Sequence, residues 1–195
     1  MTSKKAKQLE EVLIQVGLRI AKRGEGALFV VGDVKYKVLV KQAVLPFNII
    51  ENPKLLETLA LMDGAVIIKP DGMLEAYGAM IKSTSIFKNY GTRHSAAISA
   101  AKGDNFVLII SEEDRKLKIL KKGKMILQID ALQRDVEKSV DKVVLTLESI
   151  GAGTIGFIGT SLLIPGLGIT FLPGVVIFGS TYYLGKFLSQ KLGIK

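Results

Sequence analysis

The sequence predicts an α/β domain followed by an apolar C-terminal segment that reads as a helical hairpin. Three observations carry this. Apolar residues at helical spacing open the chain, short apolar runs alternate with turn signals through its middle, and no charge occurs from Ser149 to Gly185. These shifts divide the chain into 1–130, a connecting stretch 131–148, and 149–195.

The elements follow in order. Leu9, Val12, Leu13, Val16 and Ile20 keep helical spacing among charged residues, so 1–23 is expected to be an amphipathic helix, not a secretory leader, with Gly24 as its C-cap. Residues 26–31 and 36–40 read as strands. Asn52-Pro53 is a helix start, an N-cap residue followed by Pro at the first helical position, and predicts a helix over 53–62. Strands at 65–69 and 74–81 flank the Pro70-Asp71-Gly72 turn. Gly91-Thr92 opens an Ala-rich helix over 93–102 that Gly103 closes. A buried strand over 105–111 is followed by a hairpin of 116–120 and 125–129 around Lys121-Lys122-Gly123. Leu132, Val136, Val140, Val143, Val144 and Leu147 form a helical stripe over 131–148 that is expected to pack on its own domain.

Composition narrows the function. With no cysteine, disulfides, zinc-thiolate sites and thiol nucleophiles are excluded. The 27 basic and 18 acidic residues give a net charge of +9, which suits nucleotide phosphates or anionic lipid. Trp is absent and the basic residues are not interleaved with aromatics, so no nucleic-acid partner is expected.

Mean hydropathy is +0.34, and the apolarity concentrates after Ser149. About 20 apolar residues cross a bilayer. The run divides at Pro165-Gly166 into halves that would each reach roughly 22–26 Å as helix, short for a hydrocarbon core of about 30 Å. Lys186, Lys191 and Lys195 follow it, and positive residues favour the cytoplasmic side. A hairpin that returns its lysines there is expected, with the rest of the chain cytoplasmic and membrane-anchored; one crossing or two stays open.

Three fragments carry chemistry. In Gly91-Thr92-Arg93-His94-Ser95, a glycine precedes a helix start whose first N–H groups form an anion site. Arg93 adds a guanidinium suited to phosphate oxygens, and His94 is the single histidine. A lone histidine in a helix is otherwise an ordinary core or surface residue. Asp63 in Asp63-Gly64-Ala65 could bind a metal or polarise a hydroxyl. Asp-Gly is also an ordinary turn, as Asp71-Gly72 is here. Ser111-Glu112-Glu113 ends a buried strand, where α/β folds place ligand groups, or it is a solvated acidic turn leading into Asp114-Arg115.

Asp63-Gly64-Ala65, then Gly91-Thr92-Arg93-His94 with Ala96-Ala97, then Ser111-Glu112-Glu113 after a hydrophobic strand, is similar to the diadenylate cyclase domain of the bacterial and archaeal cyclic di-AMP synthases. The strand start Gly26-Ala27-Leu28 resembles that domain too, and the likeness spans roughly residues 5–130. It implies a mixed central β-sheet flanked by helices. Two protomers, as a homodimer or within a higher homo-oligomer, would meet face to face, each with one ATP and a divalent metal, Mn or Mg. Each 3′-hydroxyl would attack the other α-phosphorus, giving cyclic di-AMP and two pyrophosphates.

By position, the resemblance implies that Asp63 activates the hydroxyl, directly or through the metal, and that Gly64 and Ala65 line the nucleotide. Gly91, Thr92, Arg93 and His94 would hold the triphosphate and the leaving pyrophosphate. Ser111 would contact phosphate, Glu112 or Glu113 would assist metal binding, and Ile81 would flank adenine. Two positions depart from the pattern: Met62 stands where many members have His, and Ser95 where many have Arg. A catalytically silent nucleotide-binding or receptor module at the membrane is the alternative, and a basic membrane-surface interaction protein a third reading.

Overall fold

The computed structural model describes residues 3–82, 91–151, 155–156, 162–164, 169–171 and 176–177. Helix α1 (Ser3–Lys22) leads into strands β1 (Ala27–Val31) and β2 (Tyr36–Val38), helix α2 (Pro53–Ala60), and strands β3 (Ala65–Ile68) and β4 (Leu74–Ile81). Helix α3 (Thr92–Ala100) follows, then β5 (Phe106–Ile110), β6 (Lys116–Lys121) and β7 (Lys124–Asp130). A 3-10 turn (Val136–Ser139) joins helix α4 (Val140–Gly151). Beyond it lie short strands β8 (Ile155–Gly156), β9 (Leu162–Ile164), β10 (Ile169–Phe171) and β11 (Val176–Ile177).

Among the described residues, nine strands form one sheet in the order β2-β4-β3-β1-β5-β6-β7-β10-β9. Only β1 and β3 run parallel; the other neighbours are antiparallel. The sheet is therefore mixed and flanked by helices, as expected. Its central strands are continuous apolar runs, Val-rich in β1 and Ile-rich in β3 and β5, because helices cover both faces there.

The sheet separates two cores. On one face α1, α2 and α4 bury Leu13, Ile14, Val16, Ile20, Leu56 and Val144 against Phe29, Leu108, Leu117 and Ile119. On the other, α3 lays Ala97, Ala100 and Ala101 on Leu28, Val30, Ile67, Val107 and Ile109. Small residues let α3 sit close to the sheet. β6 alternates: Leu117 and Ile119 join the first core, while Lys116 and Lys118 stand on the α3 face.

Element types match the sequence reading through residue 130, and several boundaries differ. α1 buries Ile14, Leu18 and Ala21 as well as Leu9, Leu13, Val16 and Ile20 of the expected stripe, with Val12 partly buried, since it is enclosed by the sheet, α2 and α4. Gly24 ends it in the left-handed region, at φ +76°. Asn52 precedes α2 without capping it through its side chain; its amide instead donates to the Asn48 carbonyl. The expected helix over 131–148 begins only at Val140, after Asp135 takes a left-handed conformation. Leu132 is consequently 61% exposed, while Val140, Val143, Val144 and Leu147 are buried in the α1 core.

Where 149–195 is described beyond α4, its residues form short strands, and most of the expected helical hairpin lies outside the described residues. β10 pairs with β7, setting Ile169 opposite Ile129 and Phe171 opposite Leu127, and β9 pairs with β10. β-branched and aromatic residues favour extended structure, and the pairing covers the β7 edge, which would otherwise be open. Among the described residues no helix is long and apolar enough to cross a membrane. The rest of the segment, including Tyr182, Tyr183 and the terminal lysines, lies outside the described residues.

Candidate active site

Strand direction brings the three fragments to one end of the sheet. β1 runs parallel to β3, so Gly26 and Asp63-Gly64 precede their strands at the same end. Ala27 opposes Ile110, which puts Ser111–Glu113 there too. Ala65 opposes Ala79, adding the end of β4 with Ile81, and Ile110 opposes Leu117, adding the start of β6. The β3 and β5 ends stand two strand spacings apart, about 10 Å between backbones.

The N-terminus of α3 lies over this end. Gly91 is the N-cap, in extended backbone, and Thr92 is the first helical residue, one position earlier than expected. Both are exposed. Nothing among the described residues lies within 4 Å of where a Gly91 side chain would start. The first N–H groups of the helix have no carbonyl four residues earlier to bind, which leaves them for an anion.

Arg93 reaches back across the sheet end. Its Nη1 occupies the place a Cβ on Gly26 would take, beside the Ile110 carbonyl. Gly26, just before β1, thus leaves the space that the guanidinium fills. Gly64 has φ +100°, and a Cβ there would come 2.8 Å from the Ala79 nitrogen. The glycine after Asp63 is thus required by the β3–β4 approach itself, a reason the tripeptide alone does not reveal.

His94 is half-buried, with Nε2 3.2 Å from Lys118 Nζ on β6. Burial first, then the Lys118 charge, holds its imidazole below the usual histidine pKa, against the opposing influence of Asp114 and Glu113. Lys118 also pairs with Asp114 at 3.0 Å. Burial alone would raise the Asp114 carboxyl, but a hydrogen bond from Ser111 and the Lys118 charge bring it below its ordinary value. Ser111 is buried, 8% exposed, and its hydroxyl is engaged with Asp114.

Asp63, Glu112 and Glu113 are all exposed, and among the described residues no three His, Cys, Asp or Glu side chains assemble to hold a metal ion. The acidic residues expected as ligands do not form a closed cage by themselves. Ile81 is 6% exposed and belongs to the core under α3 with Ala97 and Ala79. Ser95 is 5% exposed, so position 95 faces inward; Met62 is 41% exposed beside Asp63. Asp114 and Lys118 escaped the sequence reading. The Lys116-Leu117-Lys118 alternation placed both lysines on one face, but nothing local says that α3 lies over it.

Residues 17–125 match the family described as DisA bacterial checkpoint controller nucleotide-binding, DAC. A protein of Haloferax volcanii named diadenylate cyclase is 34% identical over 137 residues, covering 62% of this chain and 50% of that protein. The chain thus spans about half the length of that curated relative. Among solved structures, a double mutant of DacA from Staphylococcus aureus is 22% identical with a TM-score of 0.48, covering 74% of this chain and 97% of that one. A hypothetical membrane spanning protein from Bacillus cereus is 24% identical with a TM-score of 0.44, covering 58% of this chain and 59% of that one. The family match takes in more than half of the chain and every candidate site residue at the gathered sheet end, and the protein belongs to the DAC, DisA nucleotide-binding, family.

Proposed function

We propose that this protein is a diadenylate cyclase that joins two ATP molecules into cyclic di-AMP. The observation that carries the reading is the convergence of Asp63, Arg93 with His94, and Ser111–Glu113 at one sheet end beneath the α3 N-terminus. The family and the name of the Haloferax volcanii relative support it.

Each ATP would lay its phosphates on the first turn of α3, where unpaired N–H groups and the Arg93 guanidinium meet them. Two protomers would face each other so that each 3′-oxygen reaches the other α-phosphorus. The hydroxyl would lose its proton to Asp63 as the new P–O bond forms. The bond to the β-phosphate oxygen breaks, and pyrophosphate departs into the donors of α3. Done twice, this gives the cyclic product and two pyrophosphates. The chemistry is mostly positioning and charge neutralisation. The exposed carboxylates of Asp63, Glu112 and Glu113 suit a Mg or Mn ion that enters on the triphosphate, since such ions keep phosphate and water ligands and take only one or two from protein. Ile81 would act as part of the floor beneath the base.

Incubating the purified chain with ATP and Mn²⁺ or Mg²⁺ tests the reading, with cyclic di-AMP detected by mass spectrometry. No product at any metal or protein concentration refutes it and favours the silent nucleotide-binding module. Specific activity should rise with protein concentration, because two protomers must meet; a flat response refutes the face-to-face arrangement. The uncharged run from Ser149 to Gly185 supports membrane attachment. The full chain should then stay with membranes through a high-salt wash, and release by salt alone would refute that placement.

A further inference from the structure

The end of the sheet opposite the candidate site is rich in lysine. There Val31 opposes Phe106 and lies beside Ile68, and Lys121 opposes Lys124. Helix α1 begins over this end, where Ala6 and Leu9 border a small cavity with Val31, Pro70 and Phe106. Lys4, Lys5, Lys69 and Lys122 are exposed there and Lys121 is half-buried. The Gly123 N–H donates to the Ala101 carbonyl and ties the β6–β7 turn to the end of α3, which adds Lys102 and Lys124. Glu10, Asp33, Asp71 and Asp104 share this end, and the lysines outnumber them. Lys7 is left out of the comparison because it pairs with Glu11 at 4.0 Å. From β3 to β6 the row crosses three strand spacings, about 14 Å.

The local structure gives no reason for these lysines. The first turn of α1 carries Lys4 and Lys5 and no acidic residue, the wrong sign for the positive end of a helix dipole. Lys122 takes φ +52° and Gly123 φ +72°, a turn in which Asn-Gly is the favoured pair.

The chain also directs its uncharged run, Ser149 to Gly185, toward this end. α4 starts near the C-terminus of α1, where Lys22 meets Glu137 of the preceding turn at 2.6 Å. It then keeps Val140, Val143, Val144 and Leu147 in the core with α1. It therefore runs back along α1 toward the lysines, about 18 Å for a helix of this length. β10 points the same way, from Ile169 opposite Ile129 to Phe171 opposite Leu127, since β7 itself starts at Lys124.

We infer that this lysine-rich end is the membrane-facing surface of the protein, and that it takes the anionic headgroups of a bilayer. Lysines beside an apolar segment supply two signals together, one for depth and one for orientation on anionic lipid. The placement keeps the sheet end with Asp63, Arg93 and Ser111 away from the bilayer by the length of a central strand, about 17 Å. The inference rests on the membrane attachment read from the uncharged run and is independent of the cyclase reading.

The full chain can be titrated with vesicles of phosphatidylcholine, and with vesicles that also contain phosphatidylglycerol, and its partitioning read by co-sedimentation. The wild type should prefer the anionic vesicles. A lysine near an anionic surface is worth about fivefold in partitioning, so Lys4→Gln, Lys5→Gln, Lys121→Gln and Lys122→Gln together should lower binding to them on the order of 100-fold. A control that removes the same charge beside the β2 edge, with Lys35, Lys37, Lys41 and Lys82 changed to Gln, should keep most of the preference. Equal partitioning of the wild type into both vesicles, or an equal loss in the control, overturns the inference while membrane attachment stands. Binding to neither vesicle overturns the attachment and the inference with it. Because the chain has no cysteine, Lys69→Cys and Glu25→Cys each carry one fluorophore, at opposite ends of the sheet. A quencher on the lipid headgroups should dim the label at 69 and spare the one at 25; equal or reversed quenching overturns the orientation.

Discussion

Replacing Gly26 by Ala tests whether Arg93 works through the gap that Gly26 leaves. The backbone of Gly26 does not lie in the left-handed region, so Ala fits its conformation. The new Cβ would take the place of Arg93 Nη1 and lie 3.3 Å from the Ile110 carbonyl oxygen. The guanidinium is the flexible partner, so it moves and the strand stays. Stability should change by no more than about 1 kcal/mol, because Gly→Ala at a compatible site restricts the unfolded chain and offsets the tight contact. A displaced Arg93 loses a charge-assisted hydrogen bond to phosphate, worth roughly 1.5–3 kcal/mol. That corresponds to a loss of about 10- to 150-fold in kcat/KM for ATP. Initial rates of cyclic di-AMP formation against ATP, alongside thermal melts, measure both quantities. Groups in one contact are non-additive, so Gly26→Ala should add little to Arg93→Ala. Wild-type activity in Gly26→Ala, or a double variant much worse than Arg93→Ala alone, would refute the reasoning.

Other outcomes follow from the same geometry. Glu57 accepts from Arg19 Nε at 2.7 Å and Arg23 Nη1 at 2.6 Å; burial raises its carboxyl, but the two guanidinium groups outweigh that and lower it. Its stabilisation is therefore present above the ordinary carboxylate pKa and lost as pH falls through the lowered one. Glu57→Gln should cost about 1 kcal/mol at pH 7 and flatten the acid limb of urea denaturation; an unchanged acid limb would count against the pairing. Gly64→Ala combines φ +100° with a contact of 2.8 Å to backbone, and should lose on the order of 1–3 kcal/mol, read as a lower Tm. A melt equal to the wild type would contradict the β3–β4 approach. The lowered His94 pKa makes its contribution fully present above the ordinary imidazole value, near 6.5, and lost as pH falls from there toward the lowered value. Melts of His94→Asn should thus lack a pH dependence that the wild type shows in that window, and parallel curves would refute it.

Much of this protein is legible in one dimension. Period-3.6 and period-2 patterns mark helices and strands through residue 130, because the side chains that must be buried recur with the backbone's own repeat. The proposed α3 anion site is equally local: Gly91, Thr92, Arg93 and His94 are neighbours in sequence, and a helix start exposes its N–H groups wherever it lies. Asp63 and Ser111–Glu113 could be singled out only as fragments of known pattern, since each tripeptide also serves as an ordinary turn.

Tertiary structure decided how these pieces meet. Setting β1 between a parallel β3 and an antiparallel β5 sends residues 26, 63, 93 and 111 to one end, and strand order is not written in any local period. It also decided which face of β6 carries Lys118, because a period of two assigns residues to the same side without saying what covers that side. The requirement for glycine at 26 and 64 comes from Arg93 and from the β4 backbone, both distant in sequence. The run after Ser149 is only partly described: its hydropathy favours a membrane hairpin, and among the described residues Ile169–Phe171 pairs with β7. Local pattern determines what a segment can bury, and only the assembled fold determines against what.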